Sequence, residues 1–349
     1  MLTIIKRLGA ADDADVFEEA ARVIKSGGLV AFPTETVYGL GADALNAAAA
    51  AKIYKAKNRP PNNPLIVHIL DKSDVYRLAA DVPYEAEKLI DAFWPGPLTL
   101  VFKKAAIVPA ITCGGLDTVA VRLPSNAAAR ELIRRSGTPV AAPSANISGA
   151  PSPTRAKHVI DDMNGKIDMI IDGGDCEIGI ESTIVSFAEG RAELLRPGMI
   201  TVEDLSRHID IDARCLNDSS GKPKAPGMMY RHYSPKADMT LVCARGGAEK
   251  TALAIKKLAD EALKTGKKPG IFISARLEPF FKPADDKNYI CLIAGSDPDE
   301  VAANLYERLR RFDELGATDI YAEGYENTGA WLSIMNRMTK AAGNKIIYV

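Results

Sequence analysis

The chain has 349 residues, 47% of them hydrophobic and 26% charged, which is an ordinary composition for a folded, water-soluble protein of two domains. Lys and Arg number 22 against 26 Asp and Glu through Leu205, and 22 against 19 after it, so the formal net charge is −1. Neither part has the basic excess of a dedicated nucleic-acid-binding protein. The sequence has no apolar run of the roughly 20 residues that a membrane span needs, and its amino-terminal stretch lacks a signal peptide's apolar region. We therefore expect a cytoplasmic protein.

The metal-ligating residues are scattered. The five cysteines lie far apart without a C-x-x-C pair, and the four histidines are equally dispersed (Cys113, Cys176, Cys215, Cys243, Cys291; His68, His158, His208, His232). This pattern predicts reduced thiols rather than a zinc site or a disulfide framework.

The first 207 residues mix helical and strand patterns. A helix is predicted from a cap at Asp12 or Asp13 to about Lys25, and an Ala-rich helix ends near Lys55. Further helices are predicted over 71–79, 84–93, 126–135 and 154–163. Strands are predicted over 29–32, 65–69, 98–102, 119–123, 140–142, 169–172, 182–187 and 192–195. The short separation of the last two strands indicates a partly antiparallel sheet.

A loop-like segment then separates two domains. We expect a catalytic domain over 1–207, a linker or lid over 208–237 and an accessory domain over 238–349. The last segment alternates strands (240–243, 270–274, 289–293, 319–322, 346–349) with helices (248–264, 297–315, 331–342), a rhythm that predicts a small parallel sheet. It has no G-x-G-x-x-G sequence, so nothing in it indicates dinucleotide binding.

Familiar catalytic motifs are absent, since the sequence contains no G-x-x-x-x-G-K-[ST] phosphate loop, H-E-x-x-H or G-x-S-x-G. Two polar clusters stand out instead. Lys57 and Arg59 precede a proline-stiffened loop, and Ser144 and Asn146 follow a predicted strand. Cations and neutral donors together suit an anionic ligand. Two other interpretations stay open at this point: a solvated helix terminus for the cations, and a simple turn for Ser144 and Asn146. Arg122, inside an apolar strand, requires an anionic partner.

Taken in order, these segments resemble the threonylcarbamoyl-AMP synthase family in its long two-domain form. The matching segments are Pro33-Thr-Glu-Thr-Val-Tyr-Gly-Leu, Lys57-Asn-Arg-Pro, Pro64-Leu-Ile-Val-His, Trp94-Pro-Gly-Pro-Leu-Thr, Val121-Arg-Leu-Pro, Pro143-Ser-Ala-Asn-Ile-Ser-Gly, Glu181-Ser-Thr-Ile-Val, Leu195-Arg-Pro-Gly and Ala225-Pro-Gly-Met-Met-Tyr-Arg-His-Tyr-Ser-Pro. The resemblance implies an α/β protein, with a YrdC-like twisted mixed sheet and a smaller carboxyl-terminal domain whose sheet is mainly parallel and Rossmann-like.

The resemblance also implies a reaction. L-threonine, bicarbonate and ATP, the last with Mg²⁺, would give L-threonylcarbamoyladenylate and pyrophosphate. A downstream tRNA threonylcarbamoyl transferase complex would then modify an adenosine beside the anticodon. Whether the chain itself makes a weak contact with tRNA stays open, and the sequence does not identify magnesium ligands.

Family positions imply the site residues. Threonine is expected at Thr34, Thr36, His68, Arg122 and Ser182, with Arg122 as the partner of its carboxylate. ATP is expected at Lys57, Arg59, Asn63, Thr118, Ser144, Asn146, Ser152, Arg196 and Tyr233. Lys57, Arg59, Ser144 and Asn146 are expected to act in catalysis, by stabilising charge on phosphate oxygens. Tyr230 and Tyr233 are expected to fold the linker over the site as a lid.

Two other functions would use some of the same residues. A non-catalytic RNA-binding module would use the same basic residues, but the charges of −4 and +3 in the two parts argue against it as the main role. A carbamoyl-handling domain of hydrogenase maturation would usually carry zinc-binding segments, and no C-x-x-C pair occurs here.

Overall fold

The computed structural model describes residues 2–9, 13–214, 232–243, 247–281 and 289–349. These residues form two compact units: 2–148 with 152–214, and 149–151 with 232–349. The predictions for Asp12, Cys215 and Tyr230 lie outside the described residues, as does most of the predicted linker. The domain boundaries at 207 and 238 therefore stay predictions.

The described part of the first unit is built on one ten-stranded sheet. Its strands are β1 (Ile4–Arg7), β2 (Val30–Phe32), β3 (Gly39–Asp43), β4 (Ile66–His68), β5 (Leu98–Lys103), β6 (Thr118–Arg122), β7 (Val140–Ala141), β8 (Met169–Asp172), β9 (Thr183–Ser186) and β10 (Glu193–Arg196). Their order across the sheet is β1-β8-β2-β3-β7-β4-β6-β5-β9-β10. Pairs such as β4–β6 are parallel, whereas β5–β6 and β9–β10 are antiparallel. The predicted mixed sheet is confirmed.

Helices cover this sheet. They are α1 (Asp13–Lys25), α2 (Ala47–Lys57), α3 (Val75–Leu78), α4 (Tyr84–Phe93), α5 (Ala127–Ser136), α6 (Ala156–Met163) and α7 (Val202–Ser206), with a 3₁₀ turn over Lys72–Asp74. Helix α2 positions the site most directly. It begins at Asn46, whose Oδ1 accepts hydrogen bonds from the amides of Ala48 and Ala49, and it ends at Asn58 in the left-handed conformation (φ 51°). This stop leaves Lys57 as the last helical residue.

Strand β3 is absent from the strands predicted above, which go from 29–32 directly to 65–69. The strand has the sequence Gly-Leu-Gly-Ala-Asp, which lacks the alternation of apolar and polar side chains that predicts a strand. Its glycines are required by packing, because a Cβ at Gly41 would lie 2.7 Å from Phe32 Cε1 and 2.8 Å from Val140 Cγ1. The neighbouring strands therefore approach too closely for any side chain there.

The second unit carries a five-stranded sheet in which every described pair is parallel. Its strands are β11 (Asp238–Cys243), β12 (Pro269–Ile273), β13 (Ile290–Ile293), β14 (Asp319–Glu323) and β15 (Ile346–Tyr348), in the order β13-β12-β14-β11-β15. Helices α8 (Ala248–Lys264), α9 (Pro298–Glu314) and α10 (Gly329–Ala341) accompany them, with a 3₁₀ segment over Ala275–Phe281. The predicted parallel α/β domain is confirmed.

Candidate active site

Three polar side chains form a row across the sheet of the first unit. His68 on β4 lies opposite Arg122 on β6, and Arg122 lies opposite Thr99 on β5. Directly opposed residues on neighbouring strands project from the same face. The register therefore places an imidazole, a guanidinium and a hydroxyl side by side. Thr99 was not among the predicted site residues, because only strand pairing brings it here.

The turn after β2 adds two hydroxyls to this row. Thr34 Oγ1 lies 2.9 Å from Thr36 Oγ1 and donates to the carbonyl of Val37 at 2.6 Å. Arg122 Nη1 donates to Thr36 Oγ1 at 2.9 Å. Such hydroxyl-to-backbone bonds fix a turn locally, so Thr34, Thr36 and Arg122 form one connected group.

The anionic partner that Arg122 requires is Glu35. Arg122 Nη2 lies 2.7 Å from Glu35 Oε1, and both side chains are only 4% exposed. The amide of Ser125 also donates to this oxygen, at 3.2 Å. Burial by itself would raise the pKa of Glu35, but the charge of Arg122 and these hydrogen bonds lower it below its usual range. Glu35 is therefore a carboxylate at neutral pH.

His68 is neutral at physiological pH. Burial, together with the nearby charge of Arg122, lowers the pKa of His68 to about 3. Its Nδ1 lies 3.2 Å from the carbonyl of Ile66, and the backbone of Val140 makes a further hydrogen bond with the ring.

A second group of hydroxyls borders the row. Thr99 Oγ1 lies 2.7 Å from Ser182 Oγ, and Arg196 donates to Ser182 through Nη2 at 3.1 Å and to its carbonyl through Nε at 3.0 Å. Ser152 Oγ donates to Glu181 Oε1 at 2.6 Å. Arg196, expected at ATP, therefore contacts Ser182, which is expected at threonine. Ser152, also expected at ATP, contacts Glu181, the neighbour of Ser182 in the sequence.

The two clusters that stood out in the sequence meet in space. Lys57 is 1% exposed, and its Nζ donates to the carbonyls of Ser144 and Asn146. In return, the amide of Ser148 donates to the carbonyl of Lys57 at 2.9 Å. The alternative of a solvated helix terminus is therefore wrong for Lys57, because its ammonium fixes the segment that carries Ser144 and Asn146.

Arg59 is held beside this junction by another predicted residue. Its Nη2 donates to Asn63 Oδ1 at 2.6 Å and to the carbonyl of Pro64 at 2.8 Å, while Nε donates to the carbonyl of Asn63 at 3.1 Å. Strands β4 and β6 run parallel, so the residues that precede β4, Asn63 and Pro64 among them, lie towards the Thr118 end of β6. Four residues of strand separate Thr118 from Arg122, about 13 Å, so Thr118 lies at the Arg59 end of the strand.

Backbone hydrogen bonds join the two groups. The amide of Leu40 donates to the carbonyl of Pro143, and the amide of Ala145 donates to the carbonyl of Tyr38, both at 2.8 Å. The turn that holds Thr34 and Thr36 therefore continues directly into contact with the Ser144 segment. The predicted residues Thr34, Thr36 and Arg122 thus lie in one polar group, and Lys57, Ser144 and Asn146 lie in a second group bonded to it.

Tyr233 differs from the other predicted residues because it belongs to the second unit. It is buried, takes a left-handed backbone (φ 64°) and stacks on Tyr306 with ring centroids 5.3 Å apart. Its expected contact with ATP stays a prediction.

The described residues contain no group of three His, Cys, Asp or Glu side chains placed to hold a metal ion. The four cysteines in this part of the chain are unbridged. No helix among the described residues is long and apolar enough to cross a membrane.

The fold and the site define a YrdC-type α/β protein, with buried cations, hydroxyls and amides and a second, parallel-sheet unit. A family model described as "Telomere recombination" (Sua5_yciO_yrdC) matches residues 22–198, and one described as "Threonylcarbamoyl-AMP synthase, C-terminal domain" matches 200–343. The chain is 46% identical to threonylcarbamoyl-AMP synthase of Pyrococcus abyssi, with 95% of each chain covered. It is 44% identical to that of Bacillus subtilis, covering 94% of this chain and 93% of the relative.

Solved structures agree with these relatives. Pyrococcus abyssi Sua5 with a histidine and a tyrosine replaced by alanine matches with a TM-score of 0.92 and 43% identity, over 100% of this chain and 98% of that one. P. abyssi Sua5 complexed with L-threonine matches with a TM-score of 0.89 and 43% identity, over all of both chains. The chain belongs to the threonylcarbamoyl-AMP synthase family, whose members are enzymes of the nucleotidyltransferase type.

Proposed function

We propose that the chain converts L-threonine, bicarbonate and ATP into L-threonylcarbamoyladenylate and pyrophosphate. The observation that carries this proposal is the continuity of the two polar groups. Thr36 is bonded to Arg122, and two residues further along the same turn Tyr38 is bonded to Ala145, between Ser144 and Asn146. An amino-acid subsite and a nucleotide subsite built on one turn would bring their ligands together. The threonine complex of the P. abyssi relative also supports the amino-acid assignment.

The first group suits threonine. In our proposal the guanidinium of Arg122 faces the substrate's carboxylate, because arginine matches that planar anion. The hydroxyls of Thr34, Thr36 and Ser182 give the substrate's own hydroxyl neutral partners. His68, uncharged at neutral pH, gives the subsite a polar ring without adding a second positive charge.

The second group suits a nucleotide. Lys57 is enclosed and bonded to carbonyls, so we assign it the role of fixing the Ser144 and Asn146 segment. Arg59, fixed by Asn63, supplies charge-assisted donors to the phosphates. Thr118, Ser152 and Arg196 complete the proposed ATP contacts in this unit. The magnesium ion enters with the triphosphate of the substrate.

The reaction needs no protein nucleophile. The amine of threonine captures carbon dioxide supplied by bicarbonate, forming a carbamate with loss of a proton. A carbamate oxygen then bonds to the α-phosphorus, the bond between the α-phosphorus and its bridging oxygen breaks, and pyrophosphate leaves. Negative charge moves through phosphate oxygens during this step, and fixed donors stabilise it without reorganising. We propose that Arg59 and the Ser144–Asn146 segment held by Lys57 are these fixed donors.

The proposed product serves tRNA modification. A labile acyl adenylate suits transfer to a second enzyme, which we propose is a tRNA threonylcarbamoyl transferase complex acting on the adenosine next to the anticodon. The net charge of −1 favours at most a weak contact between tRNA and this chain. For the second unit we propose a supporting role, in which its Tyr233 helps close the linker over the bound adenylate and exclude water.

A pyrophosphate-release assay with one substrate omitted at a time tests the reaction. We expect release only when threonine, bicarbonate and ATP are all present, with a product of the mass of threonylcarbamoyladenylate. Arg59→Ala should abolish most of the turnover while the far-ultraviolet circular dichroism stays that of the wild type. Equal pyrophosphate release without threonine would refute the proposal.

A further inference from the structure

Glu35 is a buried carboxylate beside Arg122, and the reaction proposed above gives it no role. It lies between Thr34 and Thr36, and its carboxylate meets Arg122 at 2.7 Å in a place from which water is almost excluded. Burying two charges is unfavourable unless their remaining hydrogen-bonding groups are satisfied. Glu35 Oε2 and the Nε and Nη2 atoms of Arg122 have no hydrogen-bond partner among the described residues, so Nη2 meets Glu35 Oε1 as an ion pair only. A pair kept only for stability would have these atoms satisfied.

The carboxylate and the backbone of Glu35 do different things. Its carbonyl accepts from the amide of Ile178 at 2.8 Å, and the next carbonyl, of Thr36, accepts from Gly179 at 3.1 Å. These backbone bonds hold the turn whatever side chain stands at position 35. The carboxylate meets Arg122 and the amide of Ser125 instead. A glutamine at position 35 keeps an oxygen for that amide, so removing the charge changes the guanidinium more than the backbone.

The consequence for Arg122 is electrostatic. The other groups bonded to or opposite the guanidinium are uncharged: Thr36, Thr99 and the neutral ring of His68. Without Glu35 the enclosed guanidinium would attract any small anion. With Glu35 the pair has no net charge, while the guanidinium still presents directed donors. A zwitterion such as an amino acid suits a neutral pair better than a lone cation does.

We infer that Glu35 is a positioning and specificity-determining residue, which orients the guanidinium of Arg122 and cancels its charge so that the amino-acid subsite selects a zwitterion over a monoanion. This inference rests on the proposed threonine subsite. Glu35 acts through Arg122 and is not assigned a contact with the substrate.

Glu35→Gln tests it, because the amide keeps the shape and removes the charge. The KM for threonine should rise about 10-fold or more, the effect of removing the charge from one partner of a buried ion pair, with the KM for ATP changed less than about 2-fold. The probe for selectivity is 3-hydroxybutyrate, which is threonine without its amine. Its inhibition constant, divided by the KM for threonine, should fall about 10-fold or more in Glu35→Gln. A merely structural role would leave that ratio unchanged.

Three further variants complete the design. In an Arg122→Gln background, Glu35→Gln should add less than about 2-fold to the KM for threonine, because its target is gone. Glu131→Gln removes the ion pairs of Glu131 with Arg134 and Arg135 on helix α5, outside the proposed site, and is the control, with both KM values expected to stay at wild type. Should Glu35→Gln not fold, Glu35→Asp decides. Its retained charge at a shorter reach should raise the KM for threonine, leave the inhibitor ratio unchanged and change the KM for ATP less than about 2-fold. Equal rises in the two KM values are what a merely structural role predicts, and they would overturn the inference.

The outcomes separate two failures. If the wild-type protein releases no threonine-dependent pyrophosphate, the proposed function itself is refuted. If the wild type does so, but Glu35→Gln raises both KM values equally or leaves the inhibitor ratio at its wild-type value, only the role of Glu35 is overturned. In Glu35→Asp, a changed ratio with an unchanged KM for threonine would overturn it as well.

Discussion

Lys57→Met should destabilise the first unit and weaken ATP binding together. The substitution keeps an unbranched side chain of similar length and removes the ammonium that bonds the carbonyls of Ser144 and Asn146. A hydrogen bond to a charged group contributes about 1.5–3 kcal/mol. Allowing for non-additivity, we expect about 3–5 kcal/mol of lost stability. The KM for ATP should rise at least about 10-fold, because the Ser144 segment loses its anchor.

Lys52→Met is the matched control on the same helix. Lys52 Nζ also donates to a backbone carbonyl, that of Gly27 at 2.6 Å, but Lys52 is exposed and stands outside the proposed site. Since water can replace its contact, the loss should be about 1 kcal/mol or less. Its KM for ATP should equal that of the wild type.

The assay can report the first unit separately. The chain has two tryptophans, of which Trp94 is buried in the first unit and Trp331 lies in the second. In a Trp331→Phe background, urea unfolding followed by fluorescence monitors Trp94 alone. Equal urea midpoints for Lys57→Met and Lys52→Met, with an unchanged KM for ATP, would refute the anchoring role of Lys57.

Three further predictions follow from contacts in the same unit. Arg59→Lys keeps the charge but loses the forked bonds to Asn63, so the KM for ATP should rise about 10-fold in the pyrophosphate assay; an unchanged KM would contradict this. His68 has a pKa of about 3 in the fold and about 6.5 when unfolded. Since the unfolded chain binds more protons between these values, stability is lost as the pH falls, by about 1.4 kcal/mol from pH 7.5 to 5.5 relative to His68→Gln; parallel stability–pH curves would refute it. Gly198→Ala puts a Cβ 2.4 Å from the amide nitrogen of Thr183 and should cost at least about 2 kcal/mol in urea unfolding, whereas a wild-type midpoint would show that the backbone yields.

Strong local patterns were predictable to the residue. The strand Met169–Asp172 and the helix Ala248–Lys264 occur over the ranges expected from their apolar runs. Strand β1 was missed because it lies mostly exposed at an edge of the sheet and carries no apolar run. The 71–79 helix is a 3₁₀ turn followed by a single turn of α-helix. Short elements of this kind depend on their neighbours more than on propensity.

The sequence motifs predicted which residues belong to the candidate site, but not which of them contact each other. Lys57, Arg59, Ser144 and Asn146 were singled out by residue type, but only the fold shows that Lys57 bonds the Ser144 segment. Thr99 and Glu35 were missed for a different reason. Thr99 becomes visible only through its register with Arg122, and a carboxylate between two threonines has no signature of its own. Residue types predict which chemistry is present, whereas long-range pairing decides which groups meet.

His68 and Glu35, in the proposed amino-acid subsite, are both weak bases at neutral pH. They therefore do not hold the proton of the amine that must react. Under the proposed reaction, the ammonium of threonine must lose a proton before it captures carbon dioxide. His68, with a pKa of about 3, is uncharged at neutral pH and is too weak a base to remove that proton. Glu35, whose pKa is lowered by Arg122, is weaker still than an ordinary carboxylate. These side chains can orient the amine without competing for its proton. Proton removal therefore falls to bicarbonate or water, and the residues contribute by positioning, as a reaction without a protein nucleophile requires.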